Sequence, residues 1–475
     1  MLFTAGEAAR VIGGTILRGS ESAAISGVAF DSRTAGPGDL FIAIPGERVD
    51  GHRFVPEVLA KGAAGALIAR RDEGWEIPPQ AVLIQVPDTV RALGALAEHH
   101  RSKFNIPVVG VTGSVGKTTT KDLTASVLSR RFNTLKSMGN FNTEVGVPMT
   151  VFQLSQEHGA AVFEMGMRGL GQIADLAEIT RPNVGIVTNV GMTHLEVLGS
   201  QENIARAKGE LIRALPAGGW AVLNGADPSC RAMAGETRAG VLFYGLGEAP
   251  SGSSAGAPPA EHLDIVARDV TSLSEEGVGF TLVTPRGEIT VRLPVPGLHN
   301  VSNALAAAGA GLALGLSLEE IRGGLAEFTP TEKRMQIETV GGVKILNDTY
   351  NASPASTVAA LRVLKEVARG RQIAVLGNML ELGEYSSAGH QEVGGDAAGL
   401  RVDFLVAVGD LAAEIAEGAQ RTGLDGTRIR HCADNAAAVE ILAELLEPGD
   451  TVLVKGSRGV KMEEIVHALE RRLEP

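Results

Sequence analysis

The chain has 475 residues, of which 44% are apolar, and it carries a formal net charge of −12. At roughly 150 residues per domain, this length predicts about three domains. The acidic balance argues against non-specific binding to nucleic acid, which needs basic surfaces to neutralise phosphates. No apolar run approaches the ~20 residues that cross a bilayer, so we expect no stable insertion into a membrane.

Two features of the composition and of the first residues bear on the compartment. Cys230 and Cys432 are the only cysteines, which argues against a disulfide framework and against a thiolate metal site. Residues 1–10 lack the basic stretch followed by an apolar stretch that marks a secretory signal. We therefore expect a cytoplasmic protein.

Residues 1–104 predict a small α/β domain, with strands at 27–30, 40–44, 65–68 and 81–86. Two polar clusters interrupt these strands: Asp31, Ser32 and Arg33, and then Asp50, Gly51 and His52. Surface turns often carry such residues. A position beside glycine-rich strand ends is equally typical of an anion or nucleotide pocket, and the pattern alone leaves both interpretations open.

The most informative stretch, residues 106–122, begins a segment that we place at 105–328. Valines at 108, 109 and 111 suit a buried parallel strand, and residues 118–131 continue with helical spacing. Between them, Gly113 and Gly116 allow backbone N–H groups to turn inward, and Lys117 adds a full positive charge. Thr118 holds the position whose hydroxyl usually reaches Mg²⁺. The stretch predicts a loop that binds the phosphates of a magnesium nucleotide.

The match to the phosphate-loop pattern G-x-x-x-x-G-K-[ST] is imperfect, because Val111 stands where the first glycine belongs. A glycine-rich turn that binds nothing is the structural alternative. The context of a preceding strand and a following helix favours the phosphate loop.

The rest of this segment alternates strands and helices, with strands at 160–165, 184–190, 220–224 and 241–244. That alternation predicts a doubly wound sheet, with ligands at the carboxyl ends of its strands. Glu164 ends one strand, so its carboxylate should emerge at the same edge as the phosphate loop. There it could hold Mg²⁺ or orient its water, or serve as a capping or salt-bridge group.

Beyond the strand at 184–190, the pattern offers polar residues of ambiguous meaning. His194 follows the strand, and Ser200 resembles a helix cap. Lys208 lies near the apolar face of that helix, although a lone helix lysine is usually solvated. Residues 245–262 predict a loop, and 264–270, 279–284 and 288–293 an antiparallel meander.

A helix should follow and run to residue 314, with Asn300 and Asn303 on one of its faces. Their amide groups suit contacts to the edge of a nucleotide base, but such residues also cap helices. The pattern leaves both roles open.

The last segment, 329–475, predicts another open parallel sheet, with strands at 344–347, 372–376, 404–408 and 451–454. Helices are expected after each of the first three strands and again after Gly459. Polar stretches directly follow three strands, at 348–354, 377–383 and 455–458. Because these turns should meet at one edge of the sheet, they favour a binding site over isolated structural turns.

These motifs together resemble the ATP-dependent Mur ligases over essentially the whole chain. The phosphate loop, Glu164 and the stretch from His194 to Lys208 carry the resemblance to the family. The stretches 348–354, 376–384 and 454–459 narrow it to members that add D-alanyl-D-alanine. The Asp-Asn-Pro-Arg stretch of the relative that adds diaminopimelate or lysine is absent from the sequence.

The resemblance implies an α/β fold of three domains, with a central P-loop doubly wound sheet and a C-terminal Rossmann-like open sheet. Residues 1–104 would bind the UDP-linked precursor, residues 105–328 would bind ATP, and residues 329–475 would bring the amine and close over the nucleotide. The implied activity joins D-alanyl-D-alanine to UDP-MurNAc-tripeptide through an acyl phosphate, in a monomer. Other Mur-type ligases, folylpolyglutamate-synthase-like ligases and, from another class, a P-loop switch protein are the rival interpretations.

Site roles follow from the resemblance by position. The nucleotide contacts implied are Gly113, Ser114, Val115, Gly116, Lys117, Thr118, Thr119, Asn300, Asn303, Arg334 and Asp348. The substrate contacts implied are Asp31, Ser32, Arg33, Asp50, Gly51, His52 and Asn140 for the precursor side, with Tyr350, Asn351, Ser353, Lys455 and Arg458 on the last domain.

Two magnesium ions are also implied. Thr118 and Glu164 would hold one, whereas His194 and Lys208, the latter after reaction with CO₂ to a carbamate, would hold the other. The chain departs from the family pattern at Thr143, where an asparagine is common, and at Gln172, which replaces a frequent glutamate. Contacts near these two positions are less firmly implied.

Overall fold

The structure is a computed structural model that describes residues 1–46, 49–193, 195–247 and 263–473. His194 and most of the predicted loop at 245–262 lie outside the described residues. The chain forms two compact units. The first contains Met1–Gly110, Phe132–Met167 and Gly171–Asn183, and the second contains Val111–Arg131, Arg168–Leu170 and Val184–Pro475.

Elements are numbered here in chain order. The strands are β1 Phe3–Thr4, β2 Thr15–Arg18, β3 Ala24–Ile25, β4 Gly27–Ala29, β5 Asp39–Ile42, β6 Gly65–Ile68, β7 Val82–Gln85, β8 Val108–Thr112, β9 Thr134–Lys136, β10 Ala160–Glu164, β11 Val184–Val187, β12 Trp220–Asn224, β13 Gly240–Leu246, β14 Ile265–Ser272, β15 Val278–Thr284, β16 Gly287–Leu293, β17 Gln336–Val340, β18 Val343–Asn347, β19 Gln372–Gly377, β20 Phe404–Val408, β21 Ile429–Cys432 and β22 Thr451–Lys455.

The helices are α1 Ala5–Ile12, α2 Val55–Ala60, α3 Thr89–Arg101, α4 Lys117–Leu128, α5 Gly146–Val151, α6 Gln172–Thr180, α7 Leu195–Leu198, α8 Gln201–Arg213, α9 Pro228–Met233, α10 Leu298–Ala313, α11 Leu318–Ala326, α12 Pro354–Val367, α13 Ser386–Gly399, α14 Ala413–Arg421, α15 Asn435–Leu445 and α16 Glu463–Leu473. Within the described ranges, none of these helices is long and apolar enough to cross a membrane.

The first unit contains a five-stranded sheet in the order β2-β7-β6-β5-β4. Strands β4 to β7 run parallel, and β2 is antiparallel to β7. Every residue of β6 is buried, which explains why this strand is an unbroken apolar run rather than an alternating one. The predicted strands of this region are confirmed with shifts of one or two residues at their ends.

Arg101 organises the part of the first unit that follows this sheet. Its guanidinium is buried and donates to the carbonyl oxygens of Phe104, Ile106 and Thr180. Burial lowers the pKa of Arg101, but its three carbonyl partners satisfy the donors that would otherwise be lost to water. These bonds tie the ends of α3 and α6 to the chain that enters β8.

In the second unit, strands β11 to β14 run parallel, and β14, β15 and β16 form the predicted antiparallel meander. Helix α10 lies close against β12 and β13 because its buried residues are mostly alanine and glycine. A Cβ atom on Gly309 would come within 2.6 Å of the Val222 side chain, and one on Gly311 within 2.9 Å of Val127. Small residues therefore allow this helix to pack closely against both the sheet and α4.

The last part of the chain forms a six-stranded sheet in the order β17-β18-β22-β19-β20-β21. It is parallel except for the edge strand β17. Side chains of successive residues enter different cores, since Ala374 packs with α12, α13 and α14, and Val375 packs with α15 and α16. This is the predicted Rossmann-like open sheet, although β17, β21 and α15 were not predicted.

One predicted strand is too long, and the reason concerns the site. The strand expected at 184–190 ends at Val187 because the next residues bond to the phosphate-loop region instead of continuing the ladder. The Asn189 carbonyl accepts from Ser114 N, and Val190 N donates to the Asp227 carboxylate.

An ion pair between Arg371 and the buried Asp450, which directly precede β19 and β22, provides a test of this packing. Asp450 is 3% exposed and accepts two bonds from Arg371, at 2.8 and 2.7 Å, and one from the Glu447 main chain. We expect Asp450→Ala to lower the free energy of unfolding by about 2 kcal/mol, because it leaves these donors without an acceptor. Urea denaturation followed by circular dichroism measures the change.

Glu447→Ala is the matched control. Its carboxylate lies 3.4 Å from the same arginine but is 71% exposed, so its loss should cost less than about 0.5 kcal/mol. Equal effects of the two substitutions would contradict this account of the packing.

Candidate active site

The turn between β8 and α4 can be made only by glycine at two positions. Gly113 has φ 149° and Gly116 has φ 86°. A Cβ atom on Gly113 would lie 1.8 Å from the Thr188 hydroxyl, and one on Gly116 would lie 2.5 Å from the Asn303 carbonyl oxygen. The loop therefore combines a left-handed backbone with close contacts that exclude any side chain.

Residues 188–191 hold this loop in place. Ser114 N donates to the Asn189 carbonyl at 3.0 Å, and Val115 N donates to the Asn189 side chain at 3.0 Å. The Ser114 hydroxyl exchanges bonds with the main chain of Gly191, at 2.9 and 3.1 Å. Thr188 donates its hydroxyl to the Val115 carbonyl at 2.6 Å. The loop is thus shaped before any ligand arrives.

Lys117 lies at the first turn of α4, half buried, with its ammonium folded over the loop. Its Nζ donates to the Gly113 carbonyl at 2.8 Å and to the Ser114 carbonyl at 3.2 Å. The positive charge therefore stands at the mouth of the loop and beside a helix N-terminus, which is a favourable place for an anion.

Thr118, the predicted magnesium ligand, is buried and in contact with the last part of the chain. Its hydroxyl accepts a bond from the Arg334 guanidinium at 2.9 Å. Arg334 also stacks on the ring of Tyr350, with 3.9 Å from Cζ to the ring centroid. Its Nε is buried and makes no hydrogen bond to the described residues.

The polar turns after β18 and β22 meet, as the sequence predicted. Lys455 donates to the Asp348 carboxylate at 2.5 Å and to the Asn351 carbonyl at 2.8 Å. The other Asp348 oxygen accepts from Met335 N at 3.2 Å. Arg458 lies over Tyr350 at 5.1 Å, on the ring that Arg334 also contacts. These contacts join the edge of the last sheet to the phosphate loop through Arg334.

Lys208 departs from the expectation of a solvated helix lysine. It is 1% exposed on α8. Burial lowers the pKa of its amine well below the usual range, and the charge of Lys117 acts in the same direction. Cys230 and Tyr244 are buried in the same region, and burial raises the pKa of both, so neither supplies an anion. A neutral amine is the form that reacts with CO₂.

Glu164 lies at the end of β10 in the first unit and is 3% exposed. Its Oε1 accepts from the Asn142 side chain at 2.8 Å, and its main-chain N donates to the Ser137 hydroxyl at 3.2 Å. Sequence reasoning selected Asn140 and missed Asn142, since nothing in the spacing distinguishes two asparagines of one loop. Asn140 is exposed, and its carbonyl accepts from Asn142 N at 2.8 Å.

The predicted precursor residues of the first unit divide into two groups. Asp31 and Arg33 form an ion pair at 2.5 Å, and hydrogen bonds from Arg33 lower the pKa of Asp31 to about 2. The arginine side chain is 86% exposed, so the pair can be approached from solvent. The neighbouring Ser32 offers its carbonyl to Lys61 at 3.3 Å.

His52, in contrast, is completely buried. Its Nε2 accepts from Ala69 N at 2.9 Å, so Nδ1 carries the proton and donates to Asp50 at 2.7 Å. Gly51 passes so close to Ile44 that a Cβ atom would lie 2.8 Å from that main chain. These contacts give the cluster a structural role, and a direct contact with substrate stays a prediction.

The remaining predicted residues occupy supporting positions. Asn303 accepts from the Thr120 hydroxyl at 3.2 Å and donates to Asn300, which in turn donates to the Pro296 carbonyl. The two amides thus brace α10 against α4, and their role toward a nucleotide base stays a prediction. Thr119 is half buried on α4. Ser353 is the N-cap of α12, with its hydroxyl 3.1 Å from that of Ser356.

The donor set fits magnesium better than a thiolate- or histidine-bound metal. Among the described residues there is no group of three His, Cys, Asp or Glu side chains that could hold a metal ion. Mg²⁺ does not require one, since it is commonly bound through one or two carboxylates, waters and substrate phosphates. The Thr118 hydroxyl and the Glu164 carboxylate are oxygen donors of the required kind.

Comparison with known proteins adds an independent line of evidence. Family models match three stretches of the chain: the Mur ligase family catalytic domain at 24–101, the Mur ligase middle domain at 111–311, and the Mur ligase glutamate ligase domain at 333–458. The UDP-N-acetylmuramoyl-tripeptide–D-alanyl-D-alanine ligase of Bacillus subtilis is 38% identical over 94% of each chain.

Solved structures agree with these matches. A crystal structure of MurF from Acinetobacter baumannii is 33% identical, covers 99% of each chain and superposes with a TM-score of 0.89. The MurF ligase of Thermotoga maritima in complex with ADP is 28% identical, covers 95% of this chain and 98% of its own, and has a TM-score of 0.81. The chain therefore belongs to the Mur ligase family.

Proposed function

We propose that the protein is an ATP-dependent ligase that joins D-alanyl-D-alanine to UDP-MurNAc-tripeptide. The products are UDP-MurNAc-pentapeptide, ADP and phosphate, in the synthesis of peptidoglycan precursors. The observation that carries this proposal is the contact of Thr118, in the phosphate loop, with Arg334 and through it with Tyr350. It joins a nucleotide loop to the polar turns expected to receive an amine. The names and bound ADP of the relatives support the same substrates.

The reaction must first activate a carboxylate, because its direct leaving group would be oxide. Transfer of the γ-phosphoryl group of ATP to the precursor carboxylate forms an acyl phosphate and releases ADP. The free amine of D-alanyl-D-alanine then attacks the acyl carbon, the C–O bond to phosphate breaks, and the amine gives up a proton. The main difficulty is electrostatic, since a carboxylate must approach polyphosphate.

The phosphate loop offers the groups that meet this difficulty. The Lys117 ammonium and the N-terminus of α4 place positive charge where the transferred phosphoryl group develops negative charge. Mg²⁺, for which Thr118 and Glu164 would supply oxygen ligands, would add charge neutralisation at the nucleotide phosphates. Residues 188–191 already hold the loop backbone, since the N–H groups of Ser114 and Val115 both donate to Asn189.

Lys208 is proposed to act as a carbamate. A lysine cation cannot ligate Mg²⁺, whereas its carbamate presents an anionic oxygen pair on a long arm. The buried amine, whose pKa burial lowers, is suited to this reaction with CO₂, in which it loses a proton and gains a carboxylate. His194 is the proposed second protein ligand of this metal ion.

Arg334 and magnesium would compete for one oxygen. The Thr118 hydroxyl accepts from the guanidinium at 2.9 Å, and a metal bound to that oxygen would repel the arginine charge. We propose that Arg334 leaves Thr118 when the nucleotide binds and turns to its phosphates, as the third domain closes. Closure would also exclude water from the labile acyl phosphate.

The proposed organisation keeps the three domains at 1–104, 105–328 and 329–475. The precursor side involves Asp31, Ser32, Arg33 and the exposed Asn140. The amine side involves Tyr350, Asn351, Ser353, Lys455 and Arg458. The protein is proposed to act as a monomer in the cytoplasm.

The identity of the amine substrate can be tested with the purified protein. Purified protein with Mg-ATP and UDP-MurNAc-tripeptide should form a product only when D-alanyl-D-alanine is supplied, and mass spectrometry should show the mass of the pentapeptide precursor. A panel of single amino acids serves as control. Better use of a different amine would reject the assignment within the family, and phosphate release without any amine would favour a switch protein.

The proposed carbamate of Lys208 can be tested by substitution and by removal of CO₂. Lys208→Ala should lower kcat by more than about 100-fold, since it removes a proposed metal ligand itself, and loss of a residue that only orients such a ligand typically costs about 10- to 100-fold. Removal of CO₂ should lower wild-type activity at saturating ATP, and a short carboxylate such as formate should partly restore the variant. Lys365→Ala, at an exposed helix position, is the control. Full activity of Lys208→Ala without added carboxylate would contradict the carbamate.

The proposed action of Arg334 on the nucleotide phosphates can be tested by substitution. Arg334→Ala should lower kcat about 100-fold, in the range found for loss of one charge-stabilising donor. The dissociation constant of ADP without metal should change less than threefold, because no metal ion then displaces the guanidinium from Thr118. Steady-state kinetics and isothermal titration calorimetry measure the two effects. Unchanged kcat would show that Arg334 only supports the packing of Tyr350.

A further inference from the structure

The loop at 138–143, between β9 and α5 in the first unit, brings an asparagine to the Glu164 carboxylate. Asn142 Nδ2 donates to Glu164 Oε1 at 2.8 Å. The carboxylate is 3% exposed, and the asparagine is half buried. Charge-assisted hydrogen bonds of this kind are stronger than bonds between neutral groups and fix the orientation of the acceptor.

The main chain of Asn142 is itself held close to the end of β10. Its carbonyl accepts from Gly166 N at 2.7 Å, two residues beyond Glu164. A Cβ atom on Gly166 would come within 3.1 to 3.2 Å of the terminal atoms of the Asn142 side chain. The asparagine side chain therefore lies close against the Gly166 main chain, where glycine leaves space for it.

The neighbouring Phe141 anchors the loop on its other side. Its ring meets Phe30 edge to face, with centroids 6.4 Å apart and an interplanar angle of 63°. Gly146 also lies against this residue, since a Cβ atom there would lie 2.4 Å from Phe141 Cα. Asn142 thus follows an anchored residue and has a bonded main chain of its own, as a positioning group requires.

A neutral amide is well suited to orient a metal-binding carboxylate. It donates a hydrogen bond to the carboxylate, but it brings no positive charge that would repel Mg²⁺. A lysine or arginine at this position would compete with the metal. An amide bound to one carboxylate oxygen restricts the rotation of the whole carboxylate.

We propose that Asn142 is a positioning residue that holds the Glu164 carboxylate in the orientation needed for the metal ion of the nucleotide. The inference rests on the proposed function only in taking Glu164 as a ligand of that ion. It requires neither the identity of the amine nor that of the precursor.

The test uses Asn142→Ala and Asn142→Leu, the second of which keeps the side-chain volume but removes the amide. Electron paramagnetic resonance of Mn²⁺ gives its dissociation constant from the protein–ADP complex, without precursor or amine. Both variants should bind Mn²⁺ about 10-fold more weakly. This is the lower end of the loss in metal affinity that follows when a residue hydrogen-bonded to a metal ligand is removed. Asn133→Ala, whose exposed side chain donates to the Glu157 carbonyl, should bind Mn²⁺ like wild type.

A double-mutant cycle separates action through Glu164 from a role of its own. Asn142→Ala should weaken Mn²⁺ binding in the wild-type background but not in Glu164→Gln, because the group it orients is then no longer a charged ligand. Additive effects, or unchanged Mn²⁺ affinity in both Asn142 variants, would overturn the proposal. Loss of a cooperative thermal transition in both variants would assign the asparagine to folding and also overturn it.

The outcome is independent of the proposed reaction. Weaker Mn²⁺ binding in a protein that makes no amide would leave the positioning role intact while rejecting the ligase. Normal ligation with unchanged Mn²⁺ affinity in the variants would support the ligase and reject the positioning role of Asn142.

Discussion

The structure depends on a close approach between the phosphate loop and the chain that leaves β11. Gly113 meets Thr188 at a distance that leaves no space for a Cβ atom, and Asn189 receives the N–H groups of the loop. This contact shapes the loop at the cost of shortening β11. A polyphosphate ligand then meets the Lys117 ammonium and the N-terminus of α4 beside a loop whose backbone is already shaped. The missing first glycine is tolerated because Val111 still belongs to the strand.

From this loop, a chain of cations leads to the last domain. Lys117 covers the loop, Arg334 reaches Thr118, and Arg458 shares the Tyr350 ring with Arg334. The chain as a whole is acidic, so anionic substrates must be held by local positive charge of this kind. Burial lowers the pKa of Lys208 and so disfavours a further ammonium in this region, and the proposed conversion to a carbamate would reverse the sign of its charge.

Much of this arrangement could be predicted from the sequence, for reasons that also explain the failures. Buried parallel strands such as β6 and β19 are continuous apolar runs, and the carboxyl ends of parallel strands coincide, so the meeting of Asp348 and Lys455 followed from topology. The burial of Lys208 did not follow, because it depends on elements distant in the sequence, such as β11 and α9, that pack against α8. Asn142 was missed because its bond to Glu164 joins residues 22 positions apart. Short or partly exposed elements such as β17, β21 and α15 carried too weak a pattern.

In the proposed reaction, a precursor carboxylate attacks the γ-phosphorus of ATP. The transfer of one carboxylate oxygen to the released phosphate tests this step directly. UDP-MurNAc-tripeptide labelled with ¹⁸O in its terminal carboxylate should be converted with D-alanyl-D-alanine and unlabelled ATP. The account predicts one ¹⁸O atom in each molecule of phosphate released, because the oxygen that leaves the acyl group departs with phosphate. Phosphate without ¹⁸O, formed alongside the amide product, would contradict the acyl-phosphate route.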